Sequence, residues 1–582
     1  MMKTIYKSIT LLILTFTVFS CESMLNPELD GALSEQGIWT NNLRAFGYLN
    51  NAYHNLPNGY NRISNAMFDA ATDDAVCPDP ANPIHGFYNG NWSRFNIIDD
   101  VWSKNYEGIR KANTFLQKID SVPLLRASNA LGTDESILRT RERMKGEAYF
   151  LRAYFYFELV KRYGGVPLTD KELTPQEAGT ISRSSADDCF QFILNDCDSA
   201  AARLPRKYGV TPVIVGFNDA KDLGRATSGA AKALKSRVLL YWASPLFNPD
   251  NDISRWDSAA VVAKEVIDYT IDESGGAKVY GLNRFTSTVN MTDLFSTNNV
   301  LSLYHQEIIF STQYVANTTI EQLNAPISFG AKGLTNPTQN LVDAFPMNNG
   351  LAIDDDASGY DALNPFVNRD PRLEMTVLRN GMKFTVNDKT DTIETFIDGK
   401  DGPGAYANAS QTGYYLKKFL LPHAVWDGRT VNITRTWILL RFAEMYLNYA
   451  EARNEVYGPD AEVYAALKEL RKRAGFRPSD IQAGLSQEAM REVIQNERRI
   501  ELTFEEHRFF DVRRWKLFDD PVHKENMLNI RGISITKDEN EAFVLDMDHM
   551  VQVRTFTPKM YLYPIPEAEL LKNKNLSQNP DW

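Results

Sequence analysis

The chain has 582 residues, a formal charge of −11 and 43% hydrophobic residues, so it exceeds one ordinary domain and can bury a large core. The acidic balance argues against a nucleic-acid-binding face, which needs clustered positive charge. Nine Trp, 26 Tyr and 31 Phe supply many flat rings, most of them core, with some available to a ligand surface.

Lys3 and Lys7 precede an apolar run from Ile9 to Phe19 that ends at Ser20-Cys21. This makes residues 1–20 a signal peptide, too short for a transmembrane helix. A Cys directly after the cut resembles a lipobox, so Cys21 is expected to carry lipid, with residues 21–36 as a polar tether. The remaining cysteines, Cys77, Cys189 and Cys197, are odd in number, which argues against a disulfide framework. Cys189 and Cys197 fall in one helical pattern, roughly 12 Å of rise apart, beyond the reach of a bridge.

Apolar periodicity predicts helix pairs at 40–56 with 99–119, 133–163 with 187–204, 227–243 with 254–269, and 436–455 with 460–474. Gly164-Gly165 and Pro205 are stop signals. Ala230, Ala231, Ala233 and Ser236 predict a thin helix that neighbours can approach closely. Residues 69–98, broken by Pro78, Pro80, Pro83, Gly86 and Gly90, read as a loop, yet carry Phe87, Tyr88, Trp92 and Phe95. A long aromatic loop on a rigid scaffold is a common binding element.

Residues 272–433 interrupt the helical pattern with Asn, Thr, Gly and Asp and short β-prone runs at 307–314 and 374–378. Asp354, Asp355 and Asp356 lack EF-hand spacing, and the seven His form no HExxH cluster, so no metal or cofactor is expected.

Between Thr434 and Trp515 three apolar-periodic pieces carry mixed charge. Arg441, Glu444, Asn448 and Glu451 form one stripe; Glu497, Arg498, Glu501, Glu505 and Arg508 form another. Helices that must pack with such stripes imply one internal ion network, because pairing makes buried charge tolerable. Glu497 and Glu501 also invite a reading as catalytic acid and base. Each has an Arg within one turn, however, and pairing lowers a carboxylate pKa where a catalytic acid needs it raised. No catalytic residue is assigned.

NERRIELTFEEHRFFDVRRW (496–515) resembles the hallmark helix of the SusD/RagB family of outer-membrane nutrient-binding lipoproteins. GEAYFLRAYFYFELVKRYGGVPL (146–168), NPTQNLVDAFPMNNG (336–350) with FVNRDPRLEMTVLRNG (366–381), and the tail YLYPIPEAELLKNKNLSQNPDW (561–582) are similar to its other signatures, in family order. The resemblance implies a mainly α, tetratricopeptide-like (SusD-like) scaffold with an irregular, loop- and short-strand-rich subdomain. The expected divisions are a helical region 37–271, an irregular ligand-binding subdomain 272–433, and a C-terminal region 434–582.

The resemblance further implies a surface lipoprotein that captures oligosaccharides, or peptides as in the RagB branch, and feeds a SusC-like TonB-dependent transporter. A secreted glycoside hydrolase is the alternative from another class. Sugar capture requires rings that stack on an apolar pyranose face and polar groups for its hydroxyls. Trp92 and Tyr88 are the expected stacking rings, Asp73 and Asp74 the polar partners, and Tyr314 a further candidate after the EIIFSTQY strand.

Overall fold

The computed structural model describes residues 35–124, 133–210, 213–272, 275–283, 294–297, 306–314, 318–406, 408–426, 434–476 and 481–582. The helices of the first half are α1 (Asn42–Ala52), α2 (Trp102–Lys118), α3 (Asp134–Tyr163), α4 (Ala186–Arg203), α5 (Ser228–Ala243) and α6 (Ile253–Ile267). Strands β1 (Ile308–Tyr314) and β2 (Thr434–Arg441) precede α7 (Phe442–Tyr457), α8 (Ala461–Ala474), α9 (Gln487–Glu501) and α10 (Arg508–Arg514). A hairpin of β3 (Asn529–Lys537) and β4 (Phe543–Val553) follows.

Local chemistry sets most helix boundaries. The side chains of Asn41, Thr133, Ser185, Thr227, Asp252, Asp460 and Ser486 each accept a backbone N–H of the first turn behind them. Gly475, at φ +100°, ends α8 in a left-handed conformation and returns its N–H to the carbonyls of Arg471 and Lys472. Each helix from α1 to α7 packs on the next one in sequence, and α7 also packs on α8 and α9. The thin face of α5 permits this: Ala230, Ala231, Ala233 and Ser236 are fully buried where α4 and α6 close on it. The molecule is therefore a helical, tetratricopeptide-like scaffold that carries a subdomain of short strands and loops.

The structure corrects three expectations. Residues 434–441 are a strand, not the start of a helix; β2 runs antiparallel to β1, with Thr312 opposite Trp437, and to residues 296–297. An apolar run buried on both faces reads equally well as a central strand, and TRTWILLR is such a run. The hallmark segment 496–515 is not one helix: α9 ends at Glu501, and Phe504 and Glu506 reverse the chain at φ +62° and +63° before α10 begins at Arg508. Residues 371–376 are helical, opened by Pro371 behind an Asp370 cap, so only Val377 and Leu378 of the expected 374–378 strand are extended.

The two charged stripes meet as expected in one buried network. Glu501 accepts from Arg441 at 2.6 Å and Arg372 at 3.0 Å, and also pairs with Arg473. Glu497 binds Arg372 at 2.7 Å and Arg471 at 3.1 Å; Glu505 binds Arg441 at 2.7 Å and Lys418 at 2.8 Å. Arg372 and Lys418, with Glu307 at 3.1 Å from Arg441, come from the irregular subdomain. The network thus clamps that subdomain to α8 and α9. Cys77, Cys189 and Cys197 are free and buried.

Candidate binding site

The segment 69–98 folds into a well-packed loop with one outward tip. Asn82 accepts the Ile84 N–H at 3.0 Å and Pro83 opens the short 3-10 turn Pro83–Phe87. Further on, the Asn96 N–H donates to the Ser93 carbonyl at 3.1 Å, which closes a tight turn with Arg94 and Phe95 at its centre. Central residues of a tight turn point away from the body, and Phe95 is 73% exposed. The Arg94 guanidinium lies 4.9 Å from the centroid of that ring. Glu567 pins the turn from the C-terminal segment: its N–H donates to the Arg94 carbonyl at 3.1 Å and its carboxylate pairs with Arg94 at 3.2 Å. Asn89, Asn91 and Asn96 are exposed around it, and the Asn96 amide donates to the Asn91 carbonyl at 3.1 Å.

Trp92 faces the other way and is 2% exposed. Its ring sits edge-on among Phe87, Tyr563 and Trp582, with centroids 5.0, 4.8 and 5.1 Å away. Burying a large ring against the 561–582 segment removes far more apolar surface from water than stacking on one loop could. The expected exposed Trp92 is therefore a core residue. Tyr88 is also covered: the Arg554 guanidinium lies 3.9 Å from its ring centroid, and its hydroxyl is 2.7 Å from His85 Nδ1. Burial pushes its phenol up.

Asp73 and Asp74 are likewise not free for hydroxyls. Arg508 grips Asp73 through Nε at 2.9 Å and Nη2 at 2.8 Å, and Arg499 reaches Asp73 at 2.9 Å and Asp74 at 2.7 Å. Burial pushes the Asp73 carboxyl up, but Arg499 and Arg508 outweigh it and hold it well below the usual range. Burial and the neighbouring Asp73 charge raise Asp74, against the pull of Arg499. These two residues anchor the start of the loop to α9 and α10. Tyr314 ends β1 opposite Arg435; its side chain, like Cys21, lies outside the described residues.

What the tip offers is a pinned, solvent-facing ring with the Asn96 carboxamide in the same turn and those of Asn89 and Asn91 exposed in the residues just before it. Such a surface can cover the apolar face of a flat ligand and exchange hydrogen bonds with its rim. The carboxylates of the ion network cannot serve as acid and base in the same way. Burial raises the Glu501 carboxyl, yet Arg473, Arg441 and Arg372 hold it well below its ordinary value. Among the described residues, no group of three or more His, Cys, Asp or Glu could hold a metal ion.

Comparison with known proteins accounts for both halves of this architecture. The family profile described as the SusD family matches residues 304–582, and one described as "Starch-binding associating with outer membrane" matches residues 46–240. The chain belongs to the SusD family. A SusD-like protein of Formosa agariphila is 22% identical over 547 residues, covering 88% of this chain and 89% of its own. The crystal structure of a SusD-like protein from Bacteroides fragilis superposes with a TM-score of 0.75 at 28% identity, over 94% of this chain and 99% of that one. A laminarin-binding SusD-like protein shares the fold, with a TM-score of 0.62 at 21% identity over 94% of this chain and all of that one.

For this SusD-family chain, sequence reasoning named the loop and its four rings but chose Trp92 and Tyr88 over Phe95. The Asn89, Asn91 and Asn96 carboxamides were not singled out at all. The usable signal was the run Ser93-Arg94-Phe95-Asn96, whose polar ends suit a tight turn and would turn its middle outward.

Proposed function

We propose that this protein captures oligosaccharides at the cell surface, with the Phe95 turn as a stacking platform, and passes them to a partner TonB-dependent outer-membrane transporter. The observation that carries the reading is the exposed Phe95 ring on a pinned turn, in a stretch where Asn89, Asn91 and Asn96 are exposed too. Membership of the SusD family, one of whose profiles is described as starch-binding and outer-membrane-associated, supports it. So does the shared fold of the laminarin-binding protein. A surface platform also suits a carrier, because bound sugar must leave again. Lipid on Cys21 would hold the protein on the outer membrane through the 21–36 tether.

The pairing of Glu497 and Glu501 with arginines supports capture over hydrolysis, because it removes these two as an acid and base. The test is a glycan-array screen of the purified protein alongside a peptide mixture, then overnight incubation with the best oligosaccharide. The reading predicts glycan binding and an unchanged oligosaccharide. Binding of peptides alone would transfer the site to peptide capture, and shortened products would make the protein a hydrolase.

A further inference from the structure

Beneath the loop lies a small cavity of about 30 Å³, lined by Thr72, Asp73, Tyr88, Arg513, Arg554 and Phe556 among others. It has room for one chloride-sized anion or a water. Two of its walls are buried arginines, Arg513 at 6% and Arg554 at 4% exposure. Among the described residues neither has a carboxylate within ion-pair distance. Arg513 donates Nε to the Met560 carbonyl at 3.1 Å and Nη1 to the Phe509 carbonyl at 2.8 Å. Arg554 donates to the Gln552 side chain at 2.9 Å and to the carbonyls of Thr72 and Ala75. Carbonyls and amides satisfy hydrogen bonds but leave both charges without a counterion.

The neighbouring carboxylates do not supply one. Asp73 lines the cavity, but its oxygens are held by Arg508 and Arg499, and Asp74 is held by Arg499. Asp511, next to Arg513 in sequence but one, is bound by Arg498 and Arg514, both at 2.8 Å. Asp73 lends Arg554 part of its charge from within the cavity wall, whereas no carboxylate among the described residues acts on Arg513. The Arg513 guanidinium lies 3.4 Å from the Phe509 centroid, which eases its charge but does not cancel it. Burial pushes Arg513 down to about 9, the expected response of a charge held without a partner.

An uncompensated buried charge is among the most unfavourable features a fold can hold, and the usual remedy is a paired charge of opposite sign. We infer that this cavity is a binding site for a single small inorganic anion, chloride or bromide in size, held between Arg513 and Arg554. The anion completes the charge balance under the segment 70–75 and so steadies the base of the loop that displays Phe95. The site lies in the buried base of the loop and not at its exposed tip, so it is distinct from the ligand platform.

The experiment compares thermal melting of the protein in sodium chloride, sodium bromide and sodium gluconate at equal ionic strength, with crystals grown in bromide. Occupancy predicts a melting temperature that rises and levels off with either halide but not with gluconate. It also predicts an anomalous bromide peak in the cavity. Arg513→Met should abolish the difference between the salts. Identical melting in all three salts, or a cavity holding water alone in bromide, would overturn the site. If Arg513→Met does not fold, the bromide crystals of the unaltered protein still decide.

Discussion

Arg441 at the end of β2 and Glu501 at the end of α9 lie 2.6 Å apart, Nη1 to Oε1, with both side chains fully enclosed. The same carboxylate serves Arg372 and Arg473, so one residue joins the strand, α8 and the irregular subdomain. Glu501→Gln should leave guanidiniums underpaired in a sealed interface and destabilise the protein by about 3–5 kcal/mol. Denaturant unfolding measures it. An unaltered midpoint would show that the network does not hold the subdomain in place.

A pH dependence follows from Glu158, bound by Lys161 at 2.6 Å and Arg162 at 2.7 Å. Burial pushes its carboxyl up, but Lys161 and Arg162 outweigh it and hold it at about 2 against an ordinary 4.5. A depressed carboxylate stabilises fully above its unfolded value and loses that contribution as pH falls through its folded value. Glu158→Gln should therefore be less stable than the parent by on the order of 3 kcal/mol above pH 4.5. The gap should close as pH drops from 4.5 towards 2. Melting curves of both proteins across that range check the sign; a gap that widens in acid would contradict it.

Trp92 and Phe95 should separate cleanly in stability. Trp92→Ala opens a hole among Phe87, Tyr563 and Trp582 and should destabilise by about 3–5 kcal/mol. Phe95→Ala removes a ring that packs against little and should stay within about 0.5 kcal/mol of the parent. Equal melting temperatures for the two variants would deny the inward packing of Trp92.

The anchor is tested in cells. Cys21→Ala should yield protein that no longer takes up a labelled fatty acid and no longer fractionates with the outer membrane. Label retained on the variant would place the lipid elsewhere.

The helical scaffold was legible because its signals are local: caps such as Thr133, Ser185 and Thr227, and apolar spacing repeated along each helix. The charged stripes were legible for the same reason, although Glu505 reaches Arg441 from a turn and not from the helix itself. Strand β2 was hidden because a run apolar on every side carries no period. The binding loop failed for a longer-range reason. Arg499 meets Asp74 from 425 residues away, and Trp92 turns inward only because Tyr563 and Trp582 are waiting for it. Which of four rings in one loop faces water depends on such partners, and no local pattern reports them.

The Phe95 ring is the group expected to carry a sugar. One stacked ring at a wet site contributes about 1–2 kcal/mol. Calorimetric titration of Phe95→Ala with the best oligosaccharide from the screen should therefore show affinity weakened roughly 5- to 30-fold, with melting unchanged. Undiminished affinity in that folded variant would contradict the account and move the site away from this turn.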